Sequence, residues 1–155
     1  MDEIIIRNSV KDDCERIFKQ LQNETCSHED YVTLQDFVEN GFQTAHPPFE
    51  SIIAEDENNT LVGFAIWSIG YSTWKGMKMF VEELWLSEHL RGTEFEAKFV
   101  SRLNQEALKL GCAEIRTTTE KGAYMAEIFL KAGGIDATEA EKWHLFSIEN
   151  KNTNQ

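Results

Sequence analysis

The chain has little positive charge. Its 15 lysines and arginines stand against 27 aspartates and glutamates, a formal net charge of −12 over 155 residues. Nucleic acid and anionic lipid reward Lys and Arg, so neither is expected as a partner; a cationic ligand is favoured instead. No apolar run is long enough to cross a membrane. The start, "MDEIIIRNS", lacks the basic leader and apolar core of a secretory signal, which points to a soluble, cytoplasmic protein. Cys14, Cys26 and Cys112 come without a CxxC or HxxxH pattern, so they are expected as small buried or half-buried apolar residues and no metal site is expected. Repeats, low-complexity stretches and linkers are lacking too. What is present is an ordinary hydrophobic share, 41%, with 11% aromatics, enough for one globular domain over 1–150 with a polar tail at 151–155.

Hydrophobic spacing gives the order of elements. "EIIIRNS" reads as a short buried strand, and Ser9 as the N-cap of a helix with Cys14, Ile17, Phe18 and Leu21 on one face. "TLQDFVENGF" reads as a second helix, capped by Thr33 and stopped by Gly41. Two apolar runs around "EDENNT" form a hairpin, and "KMFVEELWLS" a further strand. A long helix near 94–110 ends at Gly111, followed by strand "AEIRTTT", helix "AYMAEIFLKAG" and a closing strand "KWHLFSIE". This β-α-α-β-β-β-α-β-α-β order predicts an α/β (α+β) fold: a central mixed, mostly antiparallel sheet with helices on both faces.

Two stretches carry chemistry. In "FVEELWL", Glu82 and Glu83 are adjacent on a strand, where neighbours point to opposite faces, so at most one is expected to line a given cleft. A carboxylate there can hold an ammonium group or help remove its proton; both can equally be solvent-facing edge charges. In "LRGTEFEAKFV", a strand-to-helix turn opens with Arg91-Gly92, a common place for backbone amides to hold phosphate. Thr93-x-x-Glu96 also has the spacing of a capping box, in which Glu96 reaches back to the Thr93 amide. Glu94 complements the positive end of the helix.

Taken together, "IIIRNSVKDDCERIFKQLQ", "HPPFESIIAED", "VGFAIWSIGYSTWKGMKMFVEELWL", "FLKAGG" and "WHLF" resemble, in order and spacing, the GNAT superfamily of N-acetyltransferases. Within it the chain is most similar to the diamine acetyltransferases, which act on spermidine, spermine or thialysine. The resemblance implies that an amine attacks the thioester of acetyl-CoA, held in a V-shaped gap between two parallel strands, in an enzyme that is commonly a homodimer. It puts Glu82 and Glu83 in the catalytic, acceptor-binding positions, with Trp74 and Glu141 also near a small cationic amine. An aromatic face beside carboxylates suits ammonium. Glu29 and Asp30 are acidic neighbours after the first helix, and Ser72 stands where the family has an acidic residue.

On the donor side the resemblance implies cofactor binding by Leu84 and Leu86 on the gap strand, and by Arg91, Gly92, Thr93, Glu94 and Glu96 in the pyrophosphate loop. The superfamily pattern there is Arg or Gln, two residues, Gly, one residue, Gly or Ala. This chain keeps Arg91 but has Glu94 and Glu96 at the small positions. A carboxylate about 5 Å from a phosphate charge costs roughly 3 kcal/mol at an effective dielectric near 20, about a hundredfold in affinity. Phe129 stands where the family has its thiolate-protonating tyrosine; Tyr124 is five residues earlier on another helix face. Gly122 replaces an asparagine common in relatives. Two readings therefore stand side by side: acetyl transfer from acetyl-CoA to a small primary amine, or a catalytically inactive relative that has lost acetyl-CoA and binds a polyamine or a protein partner.

Overall fold

The computed structural model describes residues 3–24 and 32–150. They form two compact units, one running to Thr119 and one beginning at Glu120. The first is built on a five-stranded sheet in the order β1 (Ile5–Asn8), β2 (Glu50–Glu55), β3 (Leu61–Ser72), β4 (Gly76–Leu86), β5 (Glu114–Thr117). The first four strands are antiparallel and β4–β5 is parallel, the mixed, mostly antiparallel sheet that the element order predicts. Its helices are α1 (Cys14–Glu24), α2 (Leu34–Phe42) and α3 (Glu94–Lys109). No helix of the described residues is long and apolar enough to cross a membrane.

The pleat of β1 shows how the sheet is covered. Arg7 and Asn8 are adjacent and so face opposite ways: Arg7 bonds Asp13 beside α1, while Asn8 Oδ1 accepts from Arg102 of α3. Helices thus lie on both faces. On the α1/α2 face the core is Cys14, Ile17, Phe37, Ile53, Phe64 and Ile66. The α3 face includes Phe99 and Leu103, both buried. Two carboxyl groups are clamped by arginine on the α1 side. Asp13 and Glu55 each bridge Arg7 and Arg16 at 2.6–2.9 Å. Burial alone would push the Asp13 carboxyl up, but hydrogen bonds from Arg7, the Val10 amide and Arg16 outweigh it and hold the pKa at about 2. Glu55 is lowered by the same two arginines.

Several local expectations change. Ser9 does not cap α1; a single 3-10 turn, Lys11–Asp13, precedes the helix, and the Val10 amide donates to Asp13 Oδ2 at 2.7 Å. With Asp13 supplying that oxygen, Ser9 is left to donate to Ser51 O on β2. Thr33 caps α2 as its spacing predicts, with Asp36 completing the box. Gly41, however, lies inside α2 rather than ending it: a Cβ there would sit 2.4 Å from Phe49 Cζ, so glycine is needed for ring approach. Cys14 and Cys112 are buried, and Cys26 lies outside the described residues.

In the second unit, α4 (Tyr124–Lys131) is followed by Gly133 at φ +89°, and the Gly134 amide donates to Phe129 O at 2.9 Å, closing the helix end. A short helix absent from the sequence reading, α5 (Ala137–Glu141), is capped by Asp136. The expected closing strand is not formed: residues 142–150 are neither helix nor strand, and Trp143, Leu145, Phe146 and Ile148 are exposed. An alternating apolar segment becomes a strand only when another strand accepts its hydrogen bonds, and no described strand pairs with it.

Candidate functional site

The chemistry of the first unit centres on an irregularity in β4. Ile66 of β3 pairs with Glu83, but Trp67 pairs with Val81, so Glu82 is an extra residue, a β-bulge. The burial pattern shifts phase with it. Met79 and Val81 are buried, then Leu84 and Leu86 are, and both glutamates between them are exposed. The expectation that adjacent glutamates must face apart is thereby corrected: the bulge absorbs one residue and presents two carboxylates together. Glu83 shares the face of Ile66, which is the α1/α2 face. Desolvation by the surrounding protein, followed by the charges of Glu82 and of Glu24 at the end of α1, pushes the Glu83 carboxyl up.

The same place is where the sheet opens. β5 pairs with β4 from Lys78↔Glu114 to Val81↔Thr117 and no further, with Thr117 Oγ1 donating to Val81 O at 2.8 Å. β4 runs on for five residues beyond that last pair. The Ser87 amide bonds Val62 O toward β3; by strand alternation, Leu84 and Leu86 turn their backbone groups to the edge that β5 has left. Their side chains are buried, so only their backbone can meet a ligand there. Leu86 O already accepts from Arg91 Nε at 3.0 Å.

The loop opening α3 is less open. Glu96 is buried and its Oε2 accepts from the Gly92 amide at 2.9 Å. The expected reach to Thr93 is corrected: the Thr93 amide is directed to Leu90 O at 3.3 Å, and Gly92, at φ +72°, turns its own amide to the carboxylate. Thr93 Oγ1 accepts from Phe95 N at 3.3 Å rather than from Glu96 N, which bonds Thr93 O at 3.2 Å. Glu94 is exposed.

The chain as a whole has counterparts among known proteins. No family model matches the chain. The chain is 25% identical over 161 residues to the thialysine N-epsilon-acetyltransferase of Sus scrofa, across 96% of this chain and 94% of that one. It is 25% identical over 158 residues to the human spermidine/spermine N(1)-acetyltransferase-like protein 1, spanning 94% of this chain but 22% of that longer protein. A solved aminoglycoside N-acetyltransferase in complex with CoA superposes with a TM-score of 0.71 at 17% identity, covering 97% of each chain. The fold is that of a GNAT acetyltransferase. In sequence the chain is similar to diamine acetyltransferases, as its motifs imply.

The other residues assigned by this GNAT resemblance lie on other elements. Trp74 lies at the tip of the β3–β4 hairpin, 83% exposed, and Gly76, where β4 starts, is already about 20 Å along the strand from Glu82 at 3.3 Å per residue. Ser72 accepts the Trp74 and Lys75 amides at 3.3 and 3.2 Å, so a serine at this position serves the turn. In the second unit Phe129 is half-buried on α4, Tyr124 begins that helix, and Glu141 ends α5. Gly122 has φ +82°, the left-handed region that glycine fits. Glu29 and Asp30 lie outside the described residues. One residue escaped the sequence reading: Trp67, 2% exposed, whose Nε1 has no hydrogen-bond partner among the described residues. It pairs with Val81, the last residue joined to β5. Its only signal in the sequence was an indole within an apolar run.

Proposed function

We propose that this protein is an N-acetyltransferase that acts in the cytoplasm on a small primary amine of the diamine or thialysine type. The observation that carries the reading is the bulge at Glu82, which presents two carboxylates, with no cation bridging them among the described residues, where β4 and β5 part. An ammonium group is drawn by both charges. Glu83, held above the ordinary carboxylate range, is the better proton acceptor of an otherwise weak class, because its pKa lies nearer that of the amine. Removing that proton leaves a neutral nitrogen with a lone pair, the form that attacks an acyl carbonyl. Glu82 keeps the cation in place until the proton leaves.

Acetyl-CoA is the donor this fold suggests, and bound it would supply the acetyl thioester. The residues fit it unevenly. The edge of β4 at Leu84 and Leu86 suits an extended arm, whereas the loop at Arg91–Glu96 does not suit a pyrophosphate while Glu96 holds the Gly92 amide. The relatives align across 96% of this chain, which supports reading residues 1–150 as one acetyltransferase domain. Exposure of Trp143, Leu145, Phe146 and Ile148 supports a homodimer as the working form, as does the separation of Trp74 from the carboxylates, which a second copy can bridge.

The test is direct. The purified protein, at micromolar concentration with millimolar acetyl-CoA and millimolar thialysine or a diamine, should yield N-acetylated product by mass spectrometry. Amine binding without any product would instead favour the non-catalytic alternative and overturn this reading.

A further inference from the structure

The misfit at the loop opening α3 is itself informative. Five amides there are already engaged: Arg91 N with Glu88 O at 3.1 Å, Thr93 N with Leu90 O at 3.3 Å and Glu96 N with Thr93 O at 3.2 Å; Phe95 N with Thr93 Oγ1 at 3.3 Å; and Gly92 N with Glu96 Oε2 at 2.9 Å. Four of these acceptors are neutral and one is an anion. Gly92 is exposed, yet its amide is occupied from within by the Glu96 carboxylate.

The two glutamates that break the phosphate-loop pattern are not equivalent. Glu94 is exposed, so water screens its charge and its side chain has room to turn away. Glu96 is 7% exposed, so little of either relief is open to it. A carboxylate four residues along the chain from its amide is also present at a high effective concentration, against which a free ligand must compete.

We propose that Glu96 is an internal anion that occupies the Gly92 amide in place of a donor's pyrophosphate, and that it, not Glu94, sets the affinity of this protein for phosphate-bearing acyl donors. This rests on reading the loop as the donor's docking point, as the proposed function does. A pyrophosphate entering here must displace the carboxylate and then tolerate it nearby. Two substitutions separate those costs. Glu96→Gln removes the charge but keeps an oxygen for the Gly92 amide, and Glu96→Ala removes both.

The experiment is calorimetric titration of the full chain and its variants with acetyl-CoA, and with S-acetylpantetheine, which has the same thioester arm and no phosphate. Glu96→Gln should bind acetyl-CoA about tenfold more tightly, and Glu96→Ala about a hundredfold, on the scale of one close like-charge contact. Glu94→Gln should stay within about threefold. S-acetylpantetheine affinity should not change with any of them. If folded Glu96 variants bind acetyl-CoA as the natural chain does, or if Glu94→Gln gives an equal gain, the proposal falls. Should Glu96→Ala not fold, Glu96→Gln alone decides. Acetyl transfer measured on the same samples keeps the two ideas apart. Transfer with an affinity indifferent to Glu96 sinks this inference and leaves the function standing, whereas tightened binding without transfer does the reverse.

Discussion

Two pairs of carboxylates sit on the α1/α2 side of one sheet and are treated in opposite ways. Asp13 and Glu55 are gripped by Arg7 and Arg16, and both ionise more readily than usual, Asp13 at about 2. Glu82 and Glu83 share a bulge with each other, and Glu83, desolvated and repelled by Glu82 and Glu24, ionises less readily than usual. The first pair has its cations within the fold and holds α1 to β1 and β2. The second concentrates negative charge that no cation among the described residues answers, where β4 and β5 part. This contrast supports the proposal that the second pair receives an external cation.

The largest expected effect breaks the second pair. Glu83→Gln should lower acetyl transfer by about 100-fold or more, the usual scale for loss of a general base, measured as kcat on thialysine or a diamine. The same variant should be no less stable than the natural chain. A carboxyl whose folded pKa is raised is disfavoured in its charged form, so the stability it costs grows as pH rises through that range, and the neutral amide removes the cost at neutral pH.

Breaking the first pair should do the opposite, harming stability and leaving the chemistry alone. Asp13→Ala leaves Arg7 and Arg16 facing each other across Glu55 and should cost about 3 kcal/mol by chemical denaturation. The pH dependence has the matching sign. Because the Asp13 pKa is depressed to about 2, its contribution, about 2 kcal/mol, is present above about pH 4 and lost as pH falls from there toward 2. Acid titration of the natural chain should show that loss, and Asp13→Ala should lack it.

Gly41→Ala sharpens the contrast with a packing change remote from either charge. Its Cβ would meet the Phe49 ring, which stacks on Phe37 at 5.1 Å and 14°, and crowding of that kind outweighs the helix preference for alanine by about 1 kcal/mol. Smallest of all, Glu94→Ala should cost about 0.5 kcal/mol by losing the favourable charge at the start of α3.

Much of this was legible in the sequence, and the exceptions share a cause. Strand and helix order, the Thr33 cap and the mixed sheet follow from periodicity and local chemistry, which act over a few residues. The bulge had a local signal too, since apolar residues at 79, 81, 84 and 86 step by three where a regular strand steps by two; read as unbroken alternation, it split Glu82 from Glu83. Glu96 was recognised as a cap by its spacing from Thr93, but which amide it holds depends on the turn at Gly92. Gly41 and the segment 142–150 differ from expectation because their states depend on partners outside their own element. For Gly41 that partner is the Phe49 ring; for 142–150 it is a neighbouring strand that the described sheet does not provide.

The measurement that most directly tests the central claim is a carbon-13 NMR titration of the Glu83 carboxyl in the full chain, with and without a saturating diamine. The account predicts a midpoint above the ordinary glutamate range in the free protein, moving down when the dication binds, because the added positive charge favours the ionised form. A midpoint in the ordinary range that does not respond to the diamine would contradict it, and would make Glu82 and Glu83 two surface charges on an irregular strand.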